Sequence, residues 1–212
     1  GDGGGNSFYW DSTSVATDNG GTVIKPTSVS GAGRWLAVDT SYVNVKQFGA
    51  VGDGVADDTT AISSAIDEAN THGLPVLLES GNTYLCGALS KSRVHLVCLG
   101  SATIKAASGI AAGTSVITSA DILLDGVSVD GDNIVTRAVT ATGKYKQRRS
   151  SISNVLGTAV SFGRLVYATS ACTEFDIDDS CYFSGVSGVE NGIEGDTSGA
   201  DCGLYIETSL FS

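Results

Sequence analysis

One stretch of this sequence, Asn44 to Gly73, constrains the fold more than any other. It reads NVKQFGAVGDGVADDTTAISSAIDEANTHG and predicts a short strand over Val45 to Phe48, a glycine-rich turn, and a helix over about residues 58–71. Apolar residues recur in the helix at helical spacing: Ala61, Ile62, Ala65, Ile66 and Ala69. Because only one side of the helix is apolar, it must cover a hydrophobic surface elsewhere in the chain.

Residue types at both ends of this helix support its placement. Asp57 is expected to accept hydrogen bonds from the free amides of the first turn, and Asp58 to add negative charge at the positive end of the helix dipole. Gly73 suits a left-handed residue after the last turn, and Pro75 prevents continuation. Asp53 lies in the glycine-rich turn. These three aspartates therefore have structural roles, and we assign no catalysis to them.

The rest of the chain predicts short strands joined by tight turns. It has 28 Gly and only 2 Pro among 212 residues, which is about twice the usual glycine content of about 7%. The clearest strands lie in DILLDGVSVDGDN, where Ile122 and Leu124, then Val127 and Val129, alternate inward. Similar runs follow, and a repeat of this size, roughly 20–50 residues, indicates a solenoid of stacked coils. Their starts at Asp121, Ser151 and Thr173 are 30 and 22 residues apart.

The simplest fold that joins these features is all-β. We expect a right-handed, single-stranded parallel β-helix whose N-terminal end is plugged by the helix of residues 58–71, because an open solenoid end exposes strand edges. An antiparallel sandwich also has many short strands but gives no reason for one capped helix near the start. Residues 1–41 are expected to form a small N-terminal strand module for attachment, and residues 42–212 the first coils of the β-helix.

The N-terminal module is rich in aromatic residues. Trp10 and Trp35 are expected to pack on the body of the protein or on a partner subunit, since aromatic side chains carry much of the apolar area of a small module. Stacking on sugar rings is the alternative role for them.

Charge excludes one class of partner. The net charge of -11 and the pI near 4.4 argue against nucleic acid, because phosphate binding needs a basic surface. The basic run of Lys144 to Arg149, KYKQRR, is the exception. It is expected to be a solvated loop between strands, and the functional alternative is contact with an acidic polysaccharide or a neighbouring subunit.

Nothing in the sequence predicts a metal, a cofactor or a membrane segment. The five cysteines, at positions 86, 98, 172, 181 and 202, lack metal-site spacing, and Cys86 and Cys98 are expected to be buried. Their odd number argues against a disulfide framework and for assembly in a reducing cytoplasm. No phosphate-binding loop, signal peptide or membrane-spanning apolar run is present. The absence of Met suggests a piece of a longer polypeptide.

Three acidic residues are the candidate catalytic groups. Glu174, Asp176 and Asp178 alternate with apolar residues, so on a strand all three would project from one face, roughly 6.6 to 6.8 Å apart. That spacing fits the paired carboxylates of a glycoside hydrolase, about 5 to 9.5 Å apart. The alternative is the ordinary solvent face of a strand. His72 and His95 form no predicted catalytic triad, and His95 is expected to point outward.

The central stretch also resembles a known family. It is similar to the opening segment of the pectate-lyase-like β-helix superfamily, which has an FGAxGDGxxDDTxAI pattern. The matching residues are Phe48, Gly49, Ala50, Gly52, Asp53, Gly54, Asp57, Asp58, Thr59, Ala61 and Ile62. The preceding FYWD, GGTVIKP and GRW elements resemble those upstream of this segment in tailspike proteins of tailed bacteriophages. The strong match covers about residues 8–72.

The resemblance implies a homotrimeric tail appendage of a virion. Such a protein is assembled in the host cytoplasm, contacts other phage tail proteins, and adsorbs the virus to capsule, LPS or O-antigen polysaccharide, which it often cleaves by hydrolysis or β-elimination. The motif marks the end cap, so catalytic residues are expected further along the coils. Two alternatives stay open: a non-catalytic trimeric tail fibre, and a cellular polygalacturonase-like or exo-glucanase β-helix enzyme.

Overall fold

A computed structural model describes residues 7–38, 41–111, 113–156, 164–169, 171–178, 181–187, 193–195 and 204–206. The first elements are β1 (Phe8–Asp11), β2 (Val23–Ile24), β3 (Arg34–Ala37), β4 (Val43–Asn44), a 3₁₀ turn (Val45–Phe48), β5 (Asp53–Asp57) and α1 (Thr59–His72). The next are β6 (Val76–Leu77), β7 (Thr83–Cys86), β8 (Leu89–Lys91), β9 (Val94–Ala106), β10 (Ser115–Asp130) and β11 (Arg137–Arg148). The last are β12 (Ser151–Leu156), β13 (Arg164–Ala168), β14 (Glu174–Ile177), β15 (Tyr182–Ser187), β16 (Ile193–Gly195) and β17 (Leu204–Ile206).

Parallel pairing between successive coils builds a β-helix, which confirms the predicted fold. Fourteen of the described strands, β4 to β17, form one sheet system. On one face, Val94 aligns with Ile122, then Tyr145, Phe175 and Leu204, at intervals of 28, 23, 30 and 29 residues. Each interval is the length of one coil of the β-helix, which we call a rung.

The repeat predicted from Asp121, Ser151 and Thr173 had the right size, but these start positions do not all lie on the same face of the β-helix. Asp121 pairs with Lys144 of β11, whereas β12, which begins at Ser151, stacks on the last part of β10. The strands bend between these faces at corners such as Gly126, whose φ is 71°. A side chain there would place its Cβ 2.5 Å from the carbonyl oxygen of Cys98, so this corner requires glycine.

The core lies between the faces of the β-helix. Val94, Ile122, Tyr145 and Phe175 are buried in one stack, and the rings of Tyr145 and Phe175 lie 4.9 Å apart. Cys86, Cys98, Cys172 and Cys181 are buried, and Cys202 lies outside the described residues. Burial raises the pKa of the Cys86 thiol to about 12, so this cysteine stays protonated at neutral pH and does not act as a nucleophile.

Helix α1 covers the N-terminal end of the β-helix, as its apolar stripe predicted. It begins and ends one residue later than the predicted range of 58–71. Its buried residues are Ile62, Ala65, Ile66 and Ala69. After the last turn, Gly73 has a φ of 70° and donates its amide to the carbonyl of Ala69. No helix in the described part of the chain is long and apolar enough to cross a membrane.

One prediction about the residues before α1 was wrong. Val45 to Phe48 is a 3₁₀ turn, and the strand there is β4. The side chain of Asn44 accepts from Lys46 N, and that of Gln47 accepts from Asn44 N, which is a capping box. The Asn-x-x-Gln spacing of Asn44 and Gln47 is the sequence signal for this turn.

Asp58 has a role beyond the predicted one, which was to place negative charge at the start of the helix. Asp57 does accept from the amide of Thr59, at 2.9 Å, whereas Asp58 makes no side-chain cap. Its carboxylate is buried and accepts from the amides of Val51, at 2.6 Å, and Gly52, at 3.0 Å. Asp58 therefore fixes the glycine-rich loop against the start of α1.

The N-terminal residues form a separate antiparallel sheet with the order β1-β3-β2. Trp10 and Trp35 are directly opposite each other and make an edge-to-face pair with centroids 5.3 Å apart. Both remain about two-fifths exposed, at 41% and 42%. The two rings pack on each other, and their packing on the body of the protein or on a partner subunit stays a prediction.

Side chains of α1 tie the N-terminal sheet to the β-helix. Glu68 accepts from Asn19 Nδ2 at 2.9 Å and from the hydroxyl of Thr22. Two residues further on, Asn70 Nδ2 donates to the carbonyl of Arg93 at 3.1 Å. The helix therefore contacts both the N-terminal segment and the β-helix.

Candidate functional site

One outer face of the β-helix presents charged side chains on four successive rungs. We call it the charged face, and it is formed by the outward residues Arg93, His95, Asp121, Lys144, Lys146, Glu174 and Asp176. Parallel pairing aligns Asp121 with Lys144 and Lys144 with Glu174. Since paired strands lie about 4.8 Å apart, these side chains are neighbours although they are far apart in sequence.

The first cluster on the charged face joins three side chains. Nη2 of Arg93 lies 2.7 Å from Nδ1 of His95, and Nε2 of His95 lies 2.8 Å from Oδ1 of Asp121. A guanidinium group can only donate, so Nδ1 must accept and the ring proton must lie on Nε2. We assign this tautomer from the hydrogen-bond partners. In this tautomer His95 donates from Nε2 to Asp121.

This arrangement determines what His95 can do. Both ring nitrogens are engaged, so the ring offers no lone pair to a substrate and is unsuited to act as a general base in this state. It orients Asp121 instead. Asp121 has 39% of its side chain exposed and presents its carboxylate to solvent as a hydrogen-bond acceptor.

The second cluster surrounds Glu174. Nζ of Lys146 lies 2.6 Å from Oε1, and Nζ of Lys144 lies 3.8 Å from Oε2. The hydrogen bond from Lys146 lowers the pKa of the Glu174 carboxyl, and the same contact raises the pKa of the Lys146 ammonium. Glu174 is therefore ionised at neutral pH, whereas the general acid of a glycosidase needs a raised pKa.

The family of this chain follows from a family model described as rhamnogalacturonase A/epimerase, pectate lyase-like. It matches residues 42–173, which is more than half of the chain. The chain belongs to this pectate lyase-like family. The resemblance read from residues 48–62 is thereby confirmed at the level of the superfamily.

Two curated relatives match a short part of this pectate lyase-like chain. They are the mannuronan C5-epimerases AlgE1 and AlgE2 of Azotobacter vinelandii, each 47% identical over an alignment of 66 residues, and each match covers 27% of this chain. The match covers only 5% and 7% of the lengths of these relatives.

Two solved structures share the fold over most of the chain. WceF of Pantoea stewartii, a glycan biofilm modifying enzyme with a tailspike-like parallel β-helix, has a TM-score of 0.55 and 18% identity, covering 82% of this chain and 29% of WceF. The tailspike gp49 of Acinetobacter baumannii bacteriophage Fri1, a capsular polysaccharide depolymerase, has a TM-score of 0.52 and 16% identity, covering 85% and 39%. At these identities the likeness concerns the fold.

The predicted catalytic residues of this pectate lyase-like chain do not all share one strand. Glu174 and Asp176 lie on β14 and point outward, as predicted. Asp178 follows the end of β14, and its Oδ1 lies 3.5 Å from Sγ of Cys181. A catalytic role for the three residues stays a prediction. Among the described residues, no group of three or more His, Cys, Asp or Glu side chains is arranged to hold a metal ion.

The prediction of a solvated loop over Lys144 to Arg149 was wrong. Residues up to Arg148 belong to β11, and Tyr145 and Gln147 are fully buried. Lys144 and Lys146, which alternate with these two buried residues, point outward onto the charged face. The signal was the alternation of Tyr145 and Gln147 with cationic residues, which is typical of a half-buried strand.

Sequence reasoning also missed the pairing of His95 with Asp121. It correctly predicted that His95 points outward. The two residues are 26 positions apart, and their contact depends on which residues face each other between β9 and β10.

Proposed function

We propose that this chain is part of a tailspike-type receptor-binding protein that adsorbs a phage to bacterial surface polysaccharide and depolymerises it. The charged face carries the proposal. It holds carboxylates and lysines on rigid, paired strands, and these groups accept from sugar hydroxyls and donate to acidic groups. The shared fold with WceF and gp49, which act on glycans, and the resemblance of the FYWD to GRW module to tailspikes support it.

The first test is cleavage of the ligand. We expect the full-length protein to release new reducing ends, or unsaturated uronate absorbance, from capsule, LPS or O-antigen of the host bacterium. A heat-denatured sample is the control. Binding without cleavage would instead support a non-catalytic tail fibre, and neither binding nor cleavage across a panel of host glycans would contradict the proposal.

The proposed protein is also a homotrimer of the virion tail that contacts other tail proteins. The half-exposed pair of Trp10 and Trp35 gives the N-terminal sheet an apolar surface suited to such a contact. Light scattering of the full-length protein is expected to give the mass of three chains at micromolar concentration. A monomer under these conditions would count against the tail appendage.

A second candidate is a cellular β-helix enzyme. The family description and the two mannuronan epimerase relatives favour this alternative, which includes the polygalacturonase-like and exo-glucanase enzymes considered above. Such an enzyme would act as a monomer on a soluble polyuronate or glucan. Proton NMR of treated polymannuronate, which reports inversion at C5, separates an epimerase from a depolymerase.

A further inference from the structure

We infer that Lys144 and Lys146 form a binding site for an acidic group of the glycan, and that Glu174 occupies this site until the glycan displaces it. The ligand is thus an acidic polysaccharide whose carboxylate takes the place of the Glu174 carboxylate. This inference rests on the proposed glycan-binding function and names the ligand class of the charged face.

The contacts around Glu174 show how exchange can occur. All three side chains are at the surface, with exposures of 59% for Lys144, 38% for Lys146 and 39% for Glu174. The distance of 3.8 Å from Lys144 to Oε2 is longer than the 2.7 to 2.9 Å of a charge-assisted hydrogen bond. Lys144 is therefore held loosely, and a second carboxylate can approach it from solvent.

Displacement of Glu174 has a small energetic cost. Solvent-exposed ion pairs contribute little to stability, because water solvates both charges well and ordering two side chains costs entropy. A ligand carboxylate replaces the contacts that Glu174 gives up. A polymer with an acidic group on each repeat also presents a new carboxylate whenever one dissociates, which raises the local concentration of ligand.

The distribution of charge directs an acidic polymer to this rung. The chain as a whole has a net charge of -11, so most of its surface repels polyanions. Strand β11 and the residue after it are the exception, because Lys144, Lys146, Arg148 and Arg149 lie within six consecutive positions. Arg149 is paired with Asp125 at 2.6 Å. Asp121 and Asp176 are aligned with the two lysines on neighbouring strands, but among the described residues Glu174 is the carboxylate within 4 Å of both ammonium groups. Its removal therefore leaves both lysines without a direct ion-pair partner.

A purely structural role gives different consequences. In that case the alternation of acidic, basic and acidic rungs serves only to stabilise the stack through cross-strand charge pairs. Loss of either partner would then change stability in the same direction and leave glycan affinity unchanged. If the lysines form a binding site, replacing Glu174 and replacing a lysine change the affinity for the glycan in opposite directions.

The test measures the affinity of the full-length protein for oligogalacturonate, with dextran as the neutral probe, by calorimetry at low salt. Glu174→Gln is expected to tighten oligogalacturonate binding about three- to tenfold, and Lys146→Gln to weaken it about tenfold. These magnitudes follow from the free energy that charge-assisted contacts contribute at a surface. Added salt should reduce both differences. Thermal melting of each variant checks that it is folded.

Lys105 and Asp132 provide the matched controls. They form an ion pair of 3.1 Å on another face of the β-helix, and Lys105 is 33% exposed. Lys105→Gln and Asp132→Asn make the same changes in charge and should leave affinity unchanged. The inference is overturned if oligogalacturonate does not bind, if dextran binds equally well, if Glu174→Gln weakens binding, or if the control pair has the same effects. Continued cleavage of host glycan in any of these cases would leave the proposed function intact.

Discussion

Replacing Ile66 by Asp should prevent the chain from folding. Ile66 lies on the buried stripe of α1 and is 1% exposed, so the substitution removes a large apolar side chain and places a carboxyl group in the core. Loss of the apolar contacts alone costs about 2 to 5 kcal/mol, and the desolvated polar group adds to this. The expected loss in the free energy of unfolding is at least about 4 kcal/mol, which is a large part of the total stability of a typical domain.

The measurement is soluble yield together with thermal unfolding followed by circular dichroism. Thr60→Asp is the matched control, because Thr60 is exposed and lies in the first turn of the same helix. A carboxylate there interacts favourably with the helix dipole, so its effect should stay within about 0.5 kcal/mol. Normal yield and melting of Ile66→Asp would disprove the assignment of α1 as the buried cap.

Replacing Asp58 by Asn should destabilise the chain by about 2 to 4 kcal/mol. The two carboxylate oxygens of Asp58 accept from two different amides, those of Val51 and Gly52. Asn has one oxygen, so its NH₂ group would face one of these amides, donor against donor, in a buried site. An unsatisfied buried donor costs about 1 to 3 kcal/mol. The loss of a hydrogen bond to a charged group also costs somewhat more than the loss of one between neutral groups.

Chemical denaturation of the variant and of Asp57→Asn tests this expectation. Asp57 is exposed and accepts from the amide and hydroxyl of Thr59, and Asn is also a good residue at a helix start. Asp57→Asn is therefore expected to cost less than about 1 kcal/mol. Equal effects of the two substitutions would show that Asp58 has no special role in holding the loop.

The parts of the fold that local spacing determines could be predicted from the sequence. The stripe of Ile62, Ala65 and Ile66 and the left-handed Gly73 identified α1 to within one residue, because helix periodicity and caps are local signals. The 3₁₀ turn at Val45 to Phe48 was missed although its capping box is also local. Its apolar ends, Val45 and Phe48, resembled a strand.

The charged face could not be predicted in the same way. It depends on the register between rungs, and the rungs have unequal lengths, so spacing in the sequence does not show which residues are neighbours. His95 and Asp121 meet only through the alignment of β9 with β10. Glu174 and Lys146 were each noticed separately, and their contact emerged only from the pairing of β11 with β14.

The double attachment of α1 has a mechanical consequence. Glu68 holds Asn19 and Thr22 of the N-terminal segment, while Asn70, half a turn further on, holds the backbone at Arg93. A pulling force on the N-terminal segment is therefore transmitted to α1 through Glu68, and from α1 to the β-helix through Asn70 and the buried stripe of the helix.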